Sequence, residues 1–208
     1  MMAVLITGLS SCHKDATNNI QREDHLTFFP LLPGNYWIYQ NYEIDSIGKA
    51  TPTNDWDSSY ISGDTMIRGN MYFAMHEKPV LYMPEQSVSY LRDSSGYIVD
   101  HTGKIRFAEN NFSDTLYEDT SNLVLFHGYA AMWAKDSTVT VPCGSFITRS
   151  VRMSVVPTRN NDPYPTRYSY DIYGKNIGRI KFHTFFYASN KHFETRLVRG
   201  KVVIETHD

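Results

Sequence analysis

The residues of this sequence that could carry out chemistry are few, and most of them stand alone. Cys143 lies in a Pro-Cys-Gly segment typical of an exposed hairpin turn, and it would become a nucleophile only if His127 or His183 folded against it. The sequence contains no Gly-x-Ser-x-Gly elbow, no Walker A loop, no dinucleotide-binding glycine pattern and no His-Glu-x-x-His motif. We therefore predict a protein that is not an enzyme and that has no cofactor.

Residues able to bind metals are present but lack the spacing of a dedicated site. The eight histidines form no close ligand pair of the kind found in zinc sites, and only pairing across strands, for example of His76, His101 and His183, could assemble one. The acidic segment 114–119 lacks the alternating oxygen ligands and the glycine of a calcium loop, so it is predicted to be a solvated loop. The sequence thus predicts no metal site.

The aromatic residues are more informative, because the chain contains 15 Tyr, 11 Phe and 3 Trp. Their simplest interpretation is a thick aromatic core. The alternative is that some of them line a concave ligand-binding face or form a platform for sugars, with Trp56 and Trp133 as the first candidates for a platform. Asp55 and Asp57 flank Trp56, but no partner strand is evident that would place them for glycoside hydrolysis. The aromatic residues on predicted strands are Trp37, Tyr39, Tyr72, Phe73, Tyr168, Tyr170, Phe182, Phe185 and Phe186.

One antiparallel β domain is predicted to position these residues. The 208 residues suit a single domain, and the net charge of −2 offers no basic surface to nucleic acid. Segments rich in Tyr, Phe, Val, Ile and Thr alternate with turns, and the longest cover 166–173, 177–188 and 192–204. The best helix candidate is 129–135. About ten to twelve strands at hairpin spacing predict an all-β fold.

The first twelve residues predict export and acylation. Residues 3–9 form an apolar run that is too short to span a bilayer but has the length of a signal-peptide core. The Leu-Ser-Ser-Cys that follows ends at Cys12 and resembles the lipobox of bacterial lipoproteins. That resemblance implies a diacylglycerol, with palmitate-type acyl chains, on the sulfur of Cys12. Two or more acyl chains anchor a protein stably to a membrane.

Three parts of the chain follow from this interpretation. Residues 1–11 would be the lipoprotein signal peptide, 12–27 the acylated cysteine with a polar tether, and 28–208 the β domain. Acylation of Cys12 leaves Cys143 as the only thiol, and a disulfide between these two cysteines is the alternative.

Three further segments resemble a group of Bacteroidetes-type envelope lipoproteins of unknown function. Residues 29–39 contain Gly-Asn-Tyr-Trp-Ile-Tyr, 139–146 contain Val-Pro-Cys-Gly-Ser-Phe, and 173–181 read Tyr-Gly-Lys-Asn-Ile-Gly-Arg-Ile-Lys. Pro142 and Gly144 are predicted to form a hairpin turn. Gly174 and Gly178 are predicted to bracket a second turn, so these motifs have an architectural role.

The resemblance implies a fold, a location and a function. The fold would be a single curved antiparallel sheet or half-barrel, similar to Lol-type lipoprotein carriers, with a β-sandwich as the alternative. The location would be the outer membrane, through the lipid anchor, facing the periplasm or the cell surface. The function would be a non-enzymatic binding or carrier module for an apolar or lipid-like ligand, or alternatively a surface glycan-binding or adhesion accessory protein.

Overall fold

A computed structural model describes residues 13–14, 28–78, 86–121, 125–159, 165–186 and 190–203. The predicted signal peptide, Cys12 and most of the tether lie outside the described residues. The strands are β1 (His13–Lys14), β2 (Tyr36–Ile44), β3 (Ala50–Ile67), β4 (Asn70–Lys78), β5 (Ser87–Asp93), β6 (Tyr97–Asp100), β7 (Ile105–Ala108), β8 (Thr115–Asp119), β9 (Phe126–Val141), β10 (Gly144–Pro157), β11 (Arg167–Gly174), β12 (Gly178–Phe185) and β13 (His192–Val202). The described residues form no helix, and hence none that could cross a membrane. The all-β prediction is confirmed.

The strands form one antiparallel meander that curves into a nearly closed barrel. Strands β2 to β7 pair in sequence, as do β8 to β13, and β13 pairs with β2. Strands β7 and β8 contact each other but form no backbone ladder within the described residues, which leaves one open seam. Strand β1 pairs in parallel with the end of β13. The predicted curved sheet is therefore confirmed, in place of the two sheets of a β-sandwich.

Two local predictions are wrong. Residues 129–135, predicted as a short helix, belong to β9, where Ala130 and Met132 are buried while Trp133 is exposed. This alternation has the two-residue period of a strand, and β9 is hydrogen-bonded to both β8 and β10. The segment 114–119, predicted as a solvated loop, forms β8 from Thr115 onward.

The barrel interior is filled partly by the segment that precedes β2. Phe28, Phe29 and Leu31 are buried in the core. The ring of Phe29 stacks on Tyr173 with centroids 5.1 Å apart, and it also contacts Phe107. These contacts attach the beginning of the domain to strands on the opposite wall.

The three motifs noted in the sequence meet in this interior. The indole Nε1 of Trp37 donates a hydrogen bond to the carbonyl of Ile177. A Cβ added at Gly178 would lie 3.1 Å from Trp37, and one added at Gly174 would lie 3.0 Å from the Cβ of Phe146. The glycines are needed because other strands approach them closely, which agrees with the predicted architectural role.

Candidate functional site

A cavity enclosed by the described residues lies inside the barrel and has a volume of about 200 Å³. Aromatic and aliphatic side chains form most of its wall, and four acidic or basic side chains, those of Glu77, Arg106, Asp171 and Arg179, also line it. The lining residues are Phe29, Pro30, Trp37, Tyr39, Met75, Glu77, Ser89, Leu91, Arg106, Tyr117, Val151, Asp171, Tyr173, Gly178 and Arg179. This combination could hold a small ligand that has both an apolar body and a polar group.

Strand alternation explains why apolar and charged residues share this wall. Met75 and Glu77 are two residues apart on β4, so they point to the same face, and Met75 is paired with the cavity residue Ser89 on β5. Asp171 and Tyr173 are likewise two apart on β11, and Asp171 is paired with the cavity residue Val151 on β10.

A charged cluster crosses the interior between two walls of the barrel. Arg179 Nη2 lies 2.6 Å from Glu77 Oε1, and Arg179 Nη1 lies 3.4 Å from Asp171 Oδ1. One guanidinium on β12 thus binds a carboxylate from β4 and another from β11. Arg179 Nε is buried and has no hydrogen-bond partner among the described residues. The cluster is an interior feature, because each of these side chains is less than one-third exposed.

The electrostatics of this cluster favour an ionised arginine and a carboxyl group that can bind a proton. Burial raises the pKa of Asp171, and the negative charge of Glu77 adds to this effect, while Arg179 opposes it. Burial acts to lower the pKa of Arg179, but Glu77, Tyr39 and Asp171 outweigh it, so that the pKa lies well above its ordinary value.

Tyrosines surround the charged cluster. The hydroxyl of Tyr39 donates to the carbonyl of Arg179 at 3.1 Å, and the Arg179 guanidinium lies 5.6 Å from the Tyr39 ring centre. Burial, with the negative charge of Asp171, raises the pKa of both Tyr117 and Tyr173. These phenols are therefore neutral at ordinary pH, and their ring faces are electron-rich surfaces for a cation.

The second arginine of the cavity has its own counter-ion. Arg106 Nε lies 3.0 Å from Asp100 Oδ2. The other oxygen of Asp100 accepts hydrogen bonds from the side chain of Thr102 and from the backbone N–H groups of Thr102 and Lys104. Although burial opposes it, these hydrogen bonds and the charge of Arg106 lower the pKa of Asp100. Arg106 and Asp100 therefore form a neutral pair.

The open seam lies beside the cavity. Arg106 on β7 and Tyr117 on β8 both line the cavity, and these two strands have no ladder between them. Lys104 Nζ lies 3.6 Å from the centre of the Tyr117 ring. Side chains rather than backbone hydrogen bonds thus close this part of the wall.

The structure separates the residues of the possible Cys/His nucleophile. His127 lies near the beginning of β9, whereas Cys143 follows its end, so the length of a 16-residue strand lies between them. His183 lies on β12, where its ring stacks against His192. Cys143 is disulfide-bonded rather than a free thiol, and Cys12, the only other cysteine, lies outside the described residues. The sulfur of Cys12 cannot carry an acyl anchor and also form a disulfide with Cys143. Acylation of Cys12 therefore stays a prediction.

The histidines considered for a metal site are also apart. His76 bonds to Ser62 and stacks on Tyr60, while His101 contacts the ring of Tyr90. No group of three or more potential ligands occurs among the described residues. Sequence reasoning missed the pair His183 and His192, whose ring nitrogens lie 3.2 Å apart.

The two tryptophans proposed as a sugar platform are both exposed, Trp56 to 48% and Trp133 to 54%. They do not share a surface, because Trp56 is on β3 and Trp133 on β9, and five strands of the sheet lie between β3 and β9. The guanidinium of Arg152 covers one face of Trp133 at 3.4 Å and also contacts Tyr168. Asp57 beside Trp56 accepts a hydrogen bond from Asn41.

Comparison with known proteins shows the fold. No protein-family model matches the chain, and no curated protein matches it. The structure is similar to a "putative lipoprotein" from Parabacteroides distasonis, with a TM-score of 0.52 and 15% identity, over 86% of this chain and 100% of the other. It is also similar to a "putative exported protein with YmcC-like fold" from Bacteroides fragilis, with a TM-score of 0.51 and 13% identity, over 84% of this chain and 99% of the other.

Proposed function

We propose that this protein is a lipid-anchored protein of the bacterial cell envelope and that its barrel is a non-enzymatic binding module. The interior cavity is the observation that carries the binding role. The envelope location is supported by the lipobox-like sequence ending at Cys12, and by the fold shared with proteins named as a lipoprotein and an exported protein.

The size of the cavity limits the ligand. Pockets for drug-sized ligands commonly measure roughly 300–1,000 Å³, and this cavity measures about 200 Å³. The ligand would therefore be a small amphipathic molecule, or one end of a longer one, rather than a complete diacyl lipid. Its apolar part would contact the apolar residues of the lining, which include Phe29, Trp37, Met75, Leu91 and Val151.

The seam between β7 and β8 would be the access route for this ligand. Separating these strands breaks no backbone ladder, whereas opening another pair of neighbouring strands in the barrel breaks a row of hydrogen bonds. The contact between Lys104 and Tyr117 would then open and close with each binding event.

A cavity-filling substitution tests this function. Ser89 lines the cavity, so Ser89→Trp would occupy part of it, while Val88→Trp is a matched control at an exposed position on the other face of the same strand. The probe is N-phenylnaphthylamine, whose fluorescence increases in apolar surroundings. We expect saturable binding to the wild type and to Val88→Trp, and at least tenfold weaker binding to Ser89→Trp.

The outcome that contradicts a binding barrel is equally clear. If all three proteins keep the same melting temperature and the probe binds to none of them, or binds equally to all, the cavity is not a ligand site. A loss confined to Ser89→Trp supports the proposal.

The alternative, a surface glycan-binding protein, has support from one observation. Trp133, Arg152 and Tyr168 form an exposed stack on β9, β10 and β11. A glycan array probed with the wild type and with Trp133→Ala tests it. Binding that Trp133→Ala abolishes would favour this alternative, and an array without signal from the folded wild type would remove it.

A further inference from the structure

We propose that the ligand of the barrel carries a small organic cation, an amine or quaternary ammonium group, held between the tyrosine rings of the cavity and the carboxylates of Glu77 and Asp171. This inference rests on the proposed binding function and specifies the chemical class of its ligand. It follows from the ion pairs of the cavity, from the carboxylate oxygens that accept no hydrogen bond, and from the aromatic rings of the wall.

The direct ion pairs of the cavity leave Glu77 and Asp171 sharing one guanidinium. Arg106 is neutralised by Asp100, at 3.0 Å. The remaining charged residues of the lining are Glu77, Asp171 and Arg179, so two carboxylates share one guanidinium. Two carboxylates at one site oppose each other's ionisation, which favours a proton on one of them. A cationic ligand beside Glu77 and Asp171 would reduce the repulsion between them.

The atoms that remain free also favour a cation. Each of the two carboxylates contacts Arg179 through one oxygen. The other oxygens, Glu77 Oε2 and Asp171 Oδ2, accept no hydrogen bond among the described residues. The arginine offers less to a ligand: each of its Nη atoms donates to one carboxylate, and its Nε, although it has no hydrogen-bond partner among the described residues, is shielded from solvent. Each carboxylate thus keeps one oxygen for a ligand, while the nitrogens of the guanidinium are engaged with the carboxylates or shielded.

The wall matches the requirements of an organic cation. Phe29, Trp37, Tyr39, Tyr117 and Tyr173 all line the cavity. Aromatic rings attract ammonium groups through their electron-rich faces, most strongly where water is excluded. Two of these rings already bind cations of the protein, since Arg179 lies over Tyr39 and Lys104 lies over Tyr117. Methyl groups on a quaternary nitrogen would contact the same rings.

An anionic ligand is the main competitor, and Arg106 is the residue that would hold it. Its side chain is 40% exposed and its Nε binds Asp100. An anion near Arg106 would, however, face Asp171 and Glu77, which line the same cavity. Like charges in a site of low dielectric constant repel each other strongly, so this arrangement is the less favourable one.

Three probes of similar size test the proposal by displacement of N-phenylnaphthylamine. They are benzyltrimethylammonium, its uncharged carbon analogue neopentylbenzene, and the anion phenylacetate. We expect the cation to bind at least tenfold more tightly than the other two. Glu77→Gln and, separately, Asp171→Asn should each weaken binding of the cation by about tenfold and leave binding of neopentylbenzene unchanged. Glu43→Gln, an exposed position on β2, is the matched control and should change neither.

The affinity for benzyltrimethylammonium should also decrease as the pH falls, because this probe does not titrate and a proton on Asp171 competes with it. Burial, assisted by Glu77, raises the pKa of Asp171, while Arg179 and Arg106 oppose this, and the neighbouring Tyr117 and Tyr173 are neutral. Asp171→Asn should remove this pH dependence.

The results separate the two proposals. Equal affinities for the cation and neopentylbenzene, or a preference for phenylacetate, overturn the cationic ligand and leave the binding barrel intact. A cation affinity that neither carboxylate variant changes overturns it as well, with circular dichroism showing that the variants are folded. Failure of all probes, with N-phenylnaphthylamine also unbound, is instead failure of the proposed function.

Discussion

Replacing Gly178 with alanine should destabilise the barrel far more than replacing Gly69 with alanine. Both glycines have a positive φ, 86° at Gly178 and 79° at Gly69. A side chain in this backbone region costs about 1–2 kcal/mol. The surroundings differ: nothing lies within 4 Å of a Cβ at Gly69, whereas a Cβ at Gly178 would be 3.1 Å from Cζ2 and 3.2 Å from Nε1 of Trp37.

The additional cost at Gly178 comes from Trp37. This side chain is 3% exposed, so it cannot move aside without disturbing the core. Moving the ring weakens its hydrogen bond to Ile177, worth about 0.5–1.5 kcal/mol, and overpacking the core typically adds about 1–3 kcal/mol. We expect Gly178→Ala to lower the free energy of unfolding by about 3–4 kcal/mol, against about 1–2 kcal/mol for Gly69→Ala.

Urea denaturation followed by circular dichroism measures both changes, provided that the slope of the transition is the same in each variant. A Trp37→Phe background gives a further check. Without the indole, the penalty of Gly178→Ala should fall towards that of Gly69→Ala. Equal losses for the two glycines in the wild-type background would refute the contact between Trp37 and Gly178 as the reason for this glycine.

Three more predictions concern the anchor, the pH dependence of stability and the seam. Radiolabelled palmitate should be incorporated into the wild type and into Cys143→Ala but not into Cys12→Ala; label retained in Cys12→Ala would contradict the lipobox. Burial lowers the pKa of His183 and of His192, and the positive charge of Arg167 adds to this effect at His192. The unfolded chain therefore binds protons more readily than the folded chain. The free energy of unfolding should therefore decrease as the pH falls below about 6.5, and a steeper slope in the double variant His183→Asn/His192→Gln than in the wild type would be inconsistent with this. Finally, Tyr117→Ala removes the ring under Lys104, so stopped-flow association of N-phenylnaphthylamine should be several-fold faster, and an unchanged rate would argue against access through the seam.

The sequence allows the fold to be predicted because the fold depends on local signals. Alternation of apolar and polar residues marks the strands, and turn residues such as Gly144, with φ 145°, mark where they end. Where the local signal is ambiguous, prediction fails: residues 129–135 contain Ala and Met, which favour helices, yet pairing with β8 and β10 decides the outcome.

The candidate site could not be predicted because it depends on distant pairing. Glu77, Asp171 and Arg179 are on β4, β11 and β12, and no spacing along the chain relates them. A register shift between Ile172 and Tyr173 also changes how β11 faces β12. A charged residue on a predicted strand is normally assigned to the solvent face, so only the closure of the barrel reveals these three as interior residues.

The same interior contacts hold the barrel together and form part of the cavity. Trp37, Gly178 and Tyr173, which belong to the motifs, line the cavity and also join β2, β11 and the turn before β12. Glu77, Ser89, Leu91 and Asp171 line it as well, but they lie outside the motifs. Substitutions at these latter positions could therefore alter what the cavity binds while the motif contacts keep the barrel intact. This separation means that proteins sharing the fold need not share a ligand.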